Sequence, residues 1–192
     1  MSKGVTGEGK IIVIVAPSGT GKSTLIKRLK EEYPNLLESV SYTTRGIRPG
    51  EKNGESYFFV SRDEFLAMKE KGEFLEWAQV HDNFYGTSKS FVEDKLKEGK
   101  FLLFDLDVQG TDSFKEYFSN KANVIFIAPP SVETLEQRLR GRGTEDESSL
   151  NIRLTNAKKE LKRQDDFDFK VINDDLERAY KDLTSIVSKV IG

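Results

Sequence analysis

Apolar positions along this chain fall into two rhythms. Uncharged blocks at Ile11-Ile12-Val13-Ile14-Val15-Ala16, Phe101-Leu102-Leu103-Phe104 and Asn123-Val124-Ile125-Phe126-Ile127-Ala128 are continuous enough for strands buried on both faces, and Phe169-Lys170-Val171-Ile172 reads as a last strand. Between them lie stretches with helical spacing. Leu25, Ile26 and Leu29 stand among Lys27, Arg28 and Lys30; Leu135 and Leu139 follow a capping Ser131; Leu150, Leu154, Ala157 and Leu161 form one stripe; Leu176, Ala179, Leu183, Ile186 and Val187 form the last. Strand alternating with helix predicts an α/β protein with a parallel, doubly wound sheet wrapped by helices.

Two regions break the rhythm. Residues from about 40 to 88 carry strand-like Ser56-Tyr57-Phe58-Phe59-Val60 and Phe74-Leu75-Glu76-Trp77-Ala78, separated by a helix that opens at Ser61 with Glu64 completing a capping box. This predicts a small insert on the core. Residues from about 132 to 162 hold Arg140-Gly141-Arg142-Gly143 and an acidic stretch, with glycines that permit hinging, and predict a lid. The core is left with about 1–39, 89–131 and 163–192, in one domain of 192 residues.

The junction between the first strand and the first helix carries the chemistry. Ala16-Pro17-Ser18-Gly19-Thr20-Gly21-Lys22-Ser23-Thr24 fits the phosphate-binding pattern G-x-x-x-x-G-K-[ST], with Ala16 where the first glycine stands. At a helix N-terminus, unpaired N–H groups and the positive dipole end face an anion, and Gly19 and Gly21 let the backbone curl around it. Lys22 is placed to reach β- and γ-phosphates, and Ser23 to put its hydroxyl on Mg²⁺. A nucleoside triphosphate is the implied ligand.

Composition narrows the rest. A formal charge of −2 argues against a general nucleic-acid binder, so any anion site must come from local clustering of cations. The chain has no cysteine, which excludes disulfides, thiolate catalysis and Cys-based zinc sites. No apolar run suits a membrane span, and Met1-Ser2-Lys3-Gly4-Val5-Thr6-Gly7-Glu8 lacks a signal-like apolar region, so a soluble cytoplasmic protein is expected. The single histidine, His81, has no partner in metal-ligand spacing.

On the residues alone, Arg45 and Arg48 are two guanidinium forks beside Pro49-Gly50, suited to a phosphate dianion or to a solvated loop. Tyr57 and Tyr85 fit rim packing as well as phosphate contact. Arg138, Arg142 and Arg153 fit a solvated helix face as well as an anion clamp.

Further motifs give the chain a family likeness. Together with the loop above, Ser41-Tyr42-Thr43-Thr44-Arg45, Arg48-Pro49-Gly50-Glu51, Tyr85-Gly86-Thr87, Asp105-Leu106-Asp107, Gln109-Gly110, Arg140-Gly141-Arg142-Gly143 and Asn173-Asp174-Asp175 resemble the guanylate kinases, in family order, from about Lys10 to the C-terminus. The resemblance implies a P-loop nucleoside monophosphate kinase fold, a GMP-binding insert, a lid, and the reaction ATP + GMP → ADP + GDP with Mg²⁺. Alanine before Pro-Ser-Gly is common in that family. By the same resemblance Arg45, Arg48, Tyr57 and Tyr85 hold the GMP phosphate, while Glu76 and Ser41 read guanine with help from Thr87 and Asp107. Arg138, Arg142 and Arg153 close on the phosphates, Asn173 meets the adenine edge of ATP, and Asp105 organises the water shell of Mg²⁺. Asp105 and Asp107 are expected to diverge, only one of them entering the base site. ATP and GMP, with dGMP as a further acceptor, are the expected partners of a monomer, a homodimer being left open. The competing reading is a non-catalytic scaffold module with the same fold, opposed here by the intact loop and by Ser41, where such modules often carry proline.

Overall fold

The computed structural model describes residues 9–80, 82–141 and 147–192. Five parallel strands form the main sheet in the order β2-β7-β1-β8-β9, namely Leu36–Glu38, Phe101–Leu106, Lys10–Val15, Ala122–Ala128 and Phe169–Ile172. Strand β1 lies in the middle, paired in parallel with β7 (Ile12↔Leu103) and β8 (Ile12↔Asn123). Its residues from Ile11 to Val15 are wholly buried, which is why the sequence there is a run of β-branched residues and not an alternation.

Successive strand side chains supply the two faces. Ile11, Val13, Val15, Leu102, Phe104, Val124 and Phe126 pack on Val92 and Leu96 of α3 (Lys89–Lys97) and on Phe114 and Phe118 of α4 (Val108–Phe118). Ile12, Ile14, Leu103, Ile125, Ile127 and Val171 pack on Leu25, Ile26 and Leu29 of α1 (Lys22–Glu32) and on Ala179, Leu183 and Val187 of α7 (Leu176–Ile191). Helices therefore cover both faces of the sheet, as the alternating pattern predicts.

A second sheet, in the order β4-β3-β6-β5, is built from Phe58–Phe59, Tyr42–Thr43, Asn83–Ser88 and Phe74–Val80. It has its own core of Phe65, Phe74 and Phe84, with Phe65 supplied by α2 (Arg62–Glu70) and stacked on Phe74 at 4.5 Å. Gly86 is where this core closes: a Cβ there would meet Phe74 at 3.0 Å and Phe65 at 3.1 Å. The capping box at Ser61 and Glu64 is present as predicted. The predicted strand 56–60 shortens to Phe58–Phe59, because Gly54 N–H bonds the Tyr57 carbonyl and the Asn53 side chain accepts from Phe59 N–H, turning the chain just before it.

Two further helices, α5 (Val132–Arg140) and α6 (Glu147–Leu161), share a small core of Leu135, Leu139, Leu150, Leu154 and Ala157. Ser131 caps α5 as predicted, accepting from Thr134 N–H at 3.1 Å. Among the described residues no helix is long and apolar enough to cross a membrane.

The small sheet should stand or fall on its aromatic stack. Phe65→Ala is expected to destabilise by about 3–5 kcal/mol through a cavity, against about 1 kcal/mol for Ser61→Ala, which removes only the cap. Urea unfolding followed by the fluorescence of Trp77 measures both. Equal, small shifts in midpoint would contradict the assignment of Phe65 as the anchor.

Candidate functional site

Because the main sheet is parallel, the carboxyl ends of β1, β7 and β8 open on one edge, where ligands bind in such sheets. The loop after β1 turns through Gly19 (φ 90°) and Gly21 (φ 89°), the left-handed region open to glycine. Gly21 occupies the N-cap of α1 and brings no side chain to cap it, which leaves the helix terminus to a ligand. Thr20 is wholly buried, its hydroxyl donating to the Pro17 carbonyl at 2.9 Å. Ala16 packs against the core face that α1 and α7 cover, so a methyl group is accommodated where the motif has glycine.

Lys22 reaches across to the end of β7. Its ammonium pairs with the Asp105 carboxylate and lies 3.3 Å from the Leu106 carbonyl. Residues 16–24 line a cavity of about 350 Å³ whose opposite wall is Glu160 of α6, a residue that the motifs gave no reason to single out. Burial pushes the Glu160 carboxyl above the ordinary range, the Asp107 charge adding and Lys22 opposing.

A larger cavity, about 570 Å³, lies between the ends of β2 and β7 and the small sheet, and is lined by Ser41, Tyr57, Glu76, Thr87, Asp105 and Asp107 among others. Glu76 comes from β5 and Thr87 from the neighbouring β6, paired in register. Thr87, a residue only 2% exposed, donates its hydroxyl to Glu76 Oε1 at 2.7 Å. Burial raises the Glu76 pKa, the Thr87 hydrogen bond opposing and the Asp107 charge adding to the rise. A carboxylate held in this state, with one oxygen engaged, is a strong acceptor for a ligand N–H.

Asp105 and Asp107 do not diverge as expected. Residues two apart on an extended chain share a face, and both line the larger cavity. Their bonds differ instead: Asp105 holds Lys22, whereas Asp107 caps α4 by accepting from Gly110 N–H at 2.7 Å.

At the rim, Arg45 lies 5.4 Å from the centre of the Tyr57 ring, and Tyr57 meets Tyr85 edge-on at 5.9 Å. The Arg45 fork is engaged by Glu51, Nη2 to Oε1 at 2.7 Å and Nη1 to Oε2 at 3.1 Å, while Glu51 also accepts from Arg48 N–H at 2.8 Å. Arg45 holds the Glu51 carboxyl below its ordinary value, helped by that Arg48 bond. Glu51 belongs to the site although only Arg45 and Arg48 were singled out; the spacing Arg45-x-x-Arg48-x-x-Glu51 is the signal that marks it. Ser39, two residues before Ser41, also lines the larger cavity, with its hydroxyl buried and without a hydrogen-bond partner among the described residues.

The remaining residues stand further out. Ser23 and Asp105 share the wall of an adjacent cavity. Arg138 precedes Leu139, whose side chain crowds Gly19, and Arg153 lies seven residues before Glu160 on the same face of α6, about 10 Å along the axis. Arg142 and His81 lie outside the described residues. Asn173 is 5% exposed and turned toward the P-loop backbone, one N–H of its amide donating to the Thr20 carbonyl at 2.6 Å.

A P-loop at the edge of a parallel sheet, with a second cavity across Asp105 where a half-buried carboxylate waits, defines a P-loop kinase of small phosphorylated substrates. The guanylate kinase family model matches residues 8–190, and the chain belongs to that family. It is 48% identical over 180 residues to the guanylate kinase of Thermotoga maritima, covering 94% of this chain and 86% of that one. To the guanylate kinase of Nitratidesulfovibrio vulgaris it is 50% identical over 175 residues, covering 91% and 84%. The crystal structure of guanylate kinase from Anaplasma phagocytophilum superposes with a TM-score of 0.65 at 35% identity, covering 94% of this chain and 85% of that one.

The raised pKa of Glu76 has a consequence for the free protein. A folded-state pKa above the unfolded value favours folding while the group is protonated, and that contribution is lost as pH rises through the folded pKa. Glu76→Gln should therefore be more stable than the parent at neutral pH, the gap closing as pH falls toward the carboxylate range. Melting temperatures of both proteins between about pH 4 and 8 check this; a gap that widens on acidification would contradict it.

Proposed function

We propose that this chain transfers the γ-phosphoryl group of ATP to GMP, giving ADP and GDP, with ATP on the loop 16–24 and GMP in the cavity floored by Glu76. The observation that carries this reading is the pair of cavities meeting at Asp105 and Lys22, one lined by a phosphate-binding loop and the other by a carboxylate–hydroxyl pair. Guanine presents N1–H and N2–H₂ donors beside the O6 acceptor. Glu76 accepts the donors, and Ser41 gives a hydroxyl to O6. Adenine would turn its N1 lone pair toward the carboxylate, and mismatched buried polar groups reject a base by about 10⁴-fold.

Chemistry follows from placement. The acceptor phosphate is itself the nucleophile, so no residue forms a covalent intermediate. Arg45 and Arg48, with the hydroxyls of Tyr57 and Tyr85, bind that phosphate; Arg45 either shares Glu51 with it or exchanges one for the other. Lys22 moves from Asp105 to the β- and γ-phosphates. Arg138, Arg142 and Arg153 complete the charge around the transferring group, where phosphoryl transferases concentrate their stabilisation. The donor set of Ser23 hydroxyl and Asp105 carboxylate on one cavity wall fits Mg²⁺, which takes oxygen ligands and keeps several waters and phosphates. Mg²⁺ bound there would neutralise phosphate charge, with Asp105 acting through its waters.

The division into a core (about 1–39, 89–131 and 163–192), a GMP-binding insert (about 40–88) and a lid (about 132–162) is proposed on the same grounds. The cations come from separated segments, and an arrangement open enough to admit both nucleotides must tighten before transfer. Both cavities are built by one chain, so a monomer suffices, and the cytoplasm supplies both nucleotides. dGMP, which presents the same base and phosphate, is a further acceptor. The scaffold reading finds no support in a site that keeps Lys22, Ser41 and Glu76 together.

Two substitutions test the assignment. Lys22→Ala should lower turnover by about 10²–10³-fold with the circular dichroism spectrum intact. Glu76→Gln turns an amide toward N1–H and should weaken GMP by about 10–100-fold while leaving AMP, already poor, unchanged. Equal effects on GMP and AMP would remove Glu76 from base recognition, and undiminished turnover in the lysine variant would remove the loop from catalysis.

A further inference from the structure

Asn173 follows β9, whose last residue, Ile172, pairs with Ala128 of β8, and its own N–H donates to the Ala128 carbonyl at 2.8 Å. The side chain is thereby aimed under the P-loop from the sheet. Its Nδ2 sits 2.6 Å from the Thr20 carbonyl oxygen. A Cβ at Gly21 would meet the same Nδ2 at 2.5 Å, so the amide fills the space that a larger residue at 21 would need. The contact is enclosed: Thr20 is 0% and Asn173 5% exposed.

A trans peptide unit holds its C=O and the following N–H on opposite sides. Drawing the Thr20 carbonyl down onto Asn173 therefore turns the Gly21 N–H outward, into the cavity that residues 16–24 line. The Pro17 carbonyl, occupied by the Thr20 hydroxyl at 2.9 Å, is likewise kept inside the loop. If the Thr20–Gly21 peptide flipped, it would present a carbonyl oxygen to a phosphate, replacing an attractive dipole with a repulsive one.

We infer that Asn173 is a positioning residue for the triphosphate: its side-chain amide locks the Thr20–Gly21 peptide in the anion-binding orientation, an effect that reaches the triphosphate whether or not a base is attached. This rests on the reading of loop 16–24 as the triphosphate site. It is distinct from an adenine-edge contact, which would use the second N–H or the Oδ1 of the same amide. Aspartate would not substitute for it, since a carboxylate would place lone pairs against the Thr20 carbonyl.

The test compares ATP with inorganic tripolyphosphate, both with Mg²⁺, by calorimetric titration of wild type, Asn173→Ala, Asn173→Asp and Lys22→Ala. Asn173→Ala should weaken both ligands, tripolyphosphate by about tenfold, and Asn173→Asp by more. KM for GMP should hold within about twofold as kcat falls, which shows that the fold persists. Loss of ATP binding with tripolyphosphate untouched would make Asn173 an adenine contact and overturn the inference, as would no change in either ligand. If Lys22→Ala also left tripolyphosphate untouched, the loop itself would not be the triphosphate site, a separate failure. Should the Asn173 variants not fold, the wild-type protein answers by NMR. The Gly21 amide should shift equally with ATP and tripolyphosphate while the Asn173 side-chain protons stay protected from exchange; Asn173 protons that exchange freely, or a Gly21 amide that responds to ATP alone, would overturn it.

Discussion

Parallel hydrogen bonding on both sides of β1 is the constraint from which the site follows. With β7 on one flank and β8 on the other, all running the same way, the loop after β1, the Asp105–Asp107 segment and the approach to α5 emerge at one edge. No side-chain interaction could gather them so firmly. The wholly buried Ile11–Val15 run fixes that pairing by making any solvent-facing arrangement of β1 unfavourable. Strand β9 extends the same order, carrying Asn173 to the underside of the loop.

On this frame two cations of the candidate site rest on internal carboxylates. Lys22 leans on Asp105 and Arg45 on Glu51, so the charges are held in place without collapsing onto each other. These pairs are partly solvated and worth little as stability. Their value is geometric, since a phosphate arriving at either point meets a cation whose position is already limited. Glu76 is the opposite case. Its main companions are a hydroxyl and a like charge, and burial leaves it strained toward protonation until a donor-rich ligand arrives. On the proposed function, stability is given up there to make a base-reading acceptor.

How much of this was legible in the residues depends on the kind of signal. Strands β1, β7, β8 and β9 of the core, the helix at Ser61 and the cap at Ser131 could be read because propensity, periodicity and capping agreed locally, whereas the short edge strand β2 could not. Strand β6 could not, since Asn83–Ser88 mixes a glycine and polar residues and is a strand only because β5 and β3 pair with it. The P-loop was recognisable from type and spacing, and Glu76 and Thr87 only through the family resemblance. Glu160 was not: a lone glutamate on a helix gives no hint that it faces residues 16–24 until α6 is packed against the core. Asn173 was singled out, yet its direction depends on β8–β9 register, which the sequence does not state.

The most direct measurement is ADP release from ATP with GMP, dGMP, AMP, CMP and UMP as acceptors under one set of conditions. Strong release with GMP and dGMP, and only weak release with the other three, is what a cavity floored by Glu76 and Ser41 requires. Comparable release with AMP or a pyrimidine monophosphate, or none with any guanine nucleotide, would contradict it.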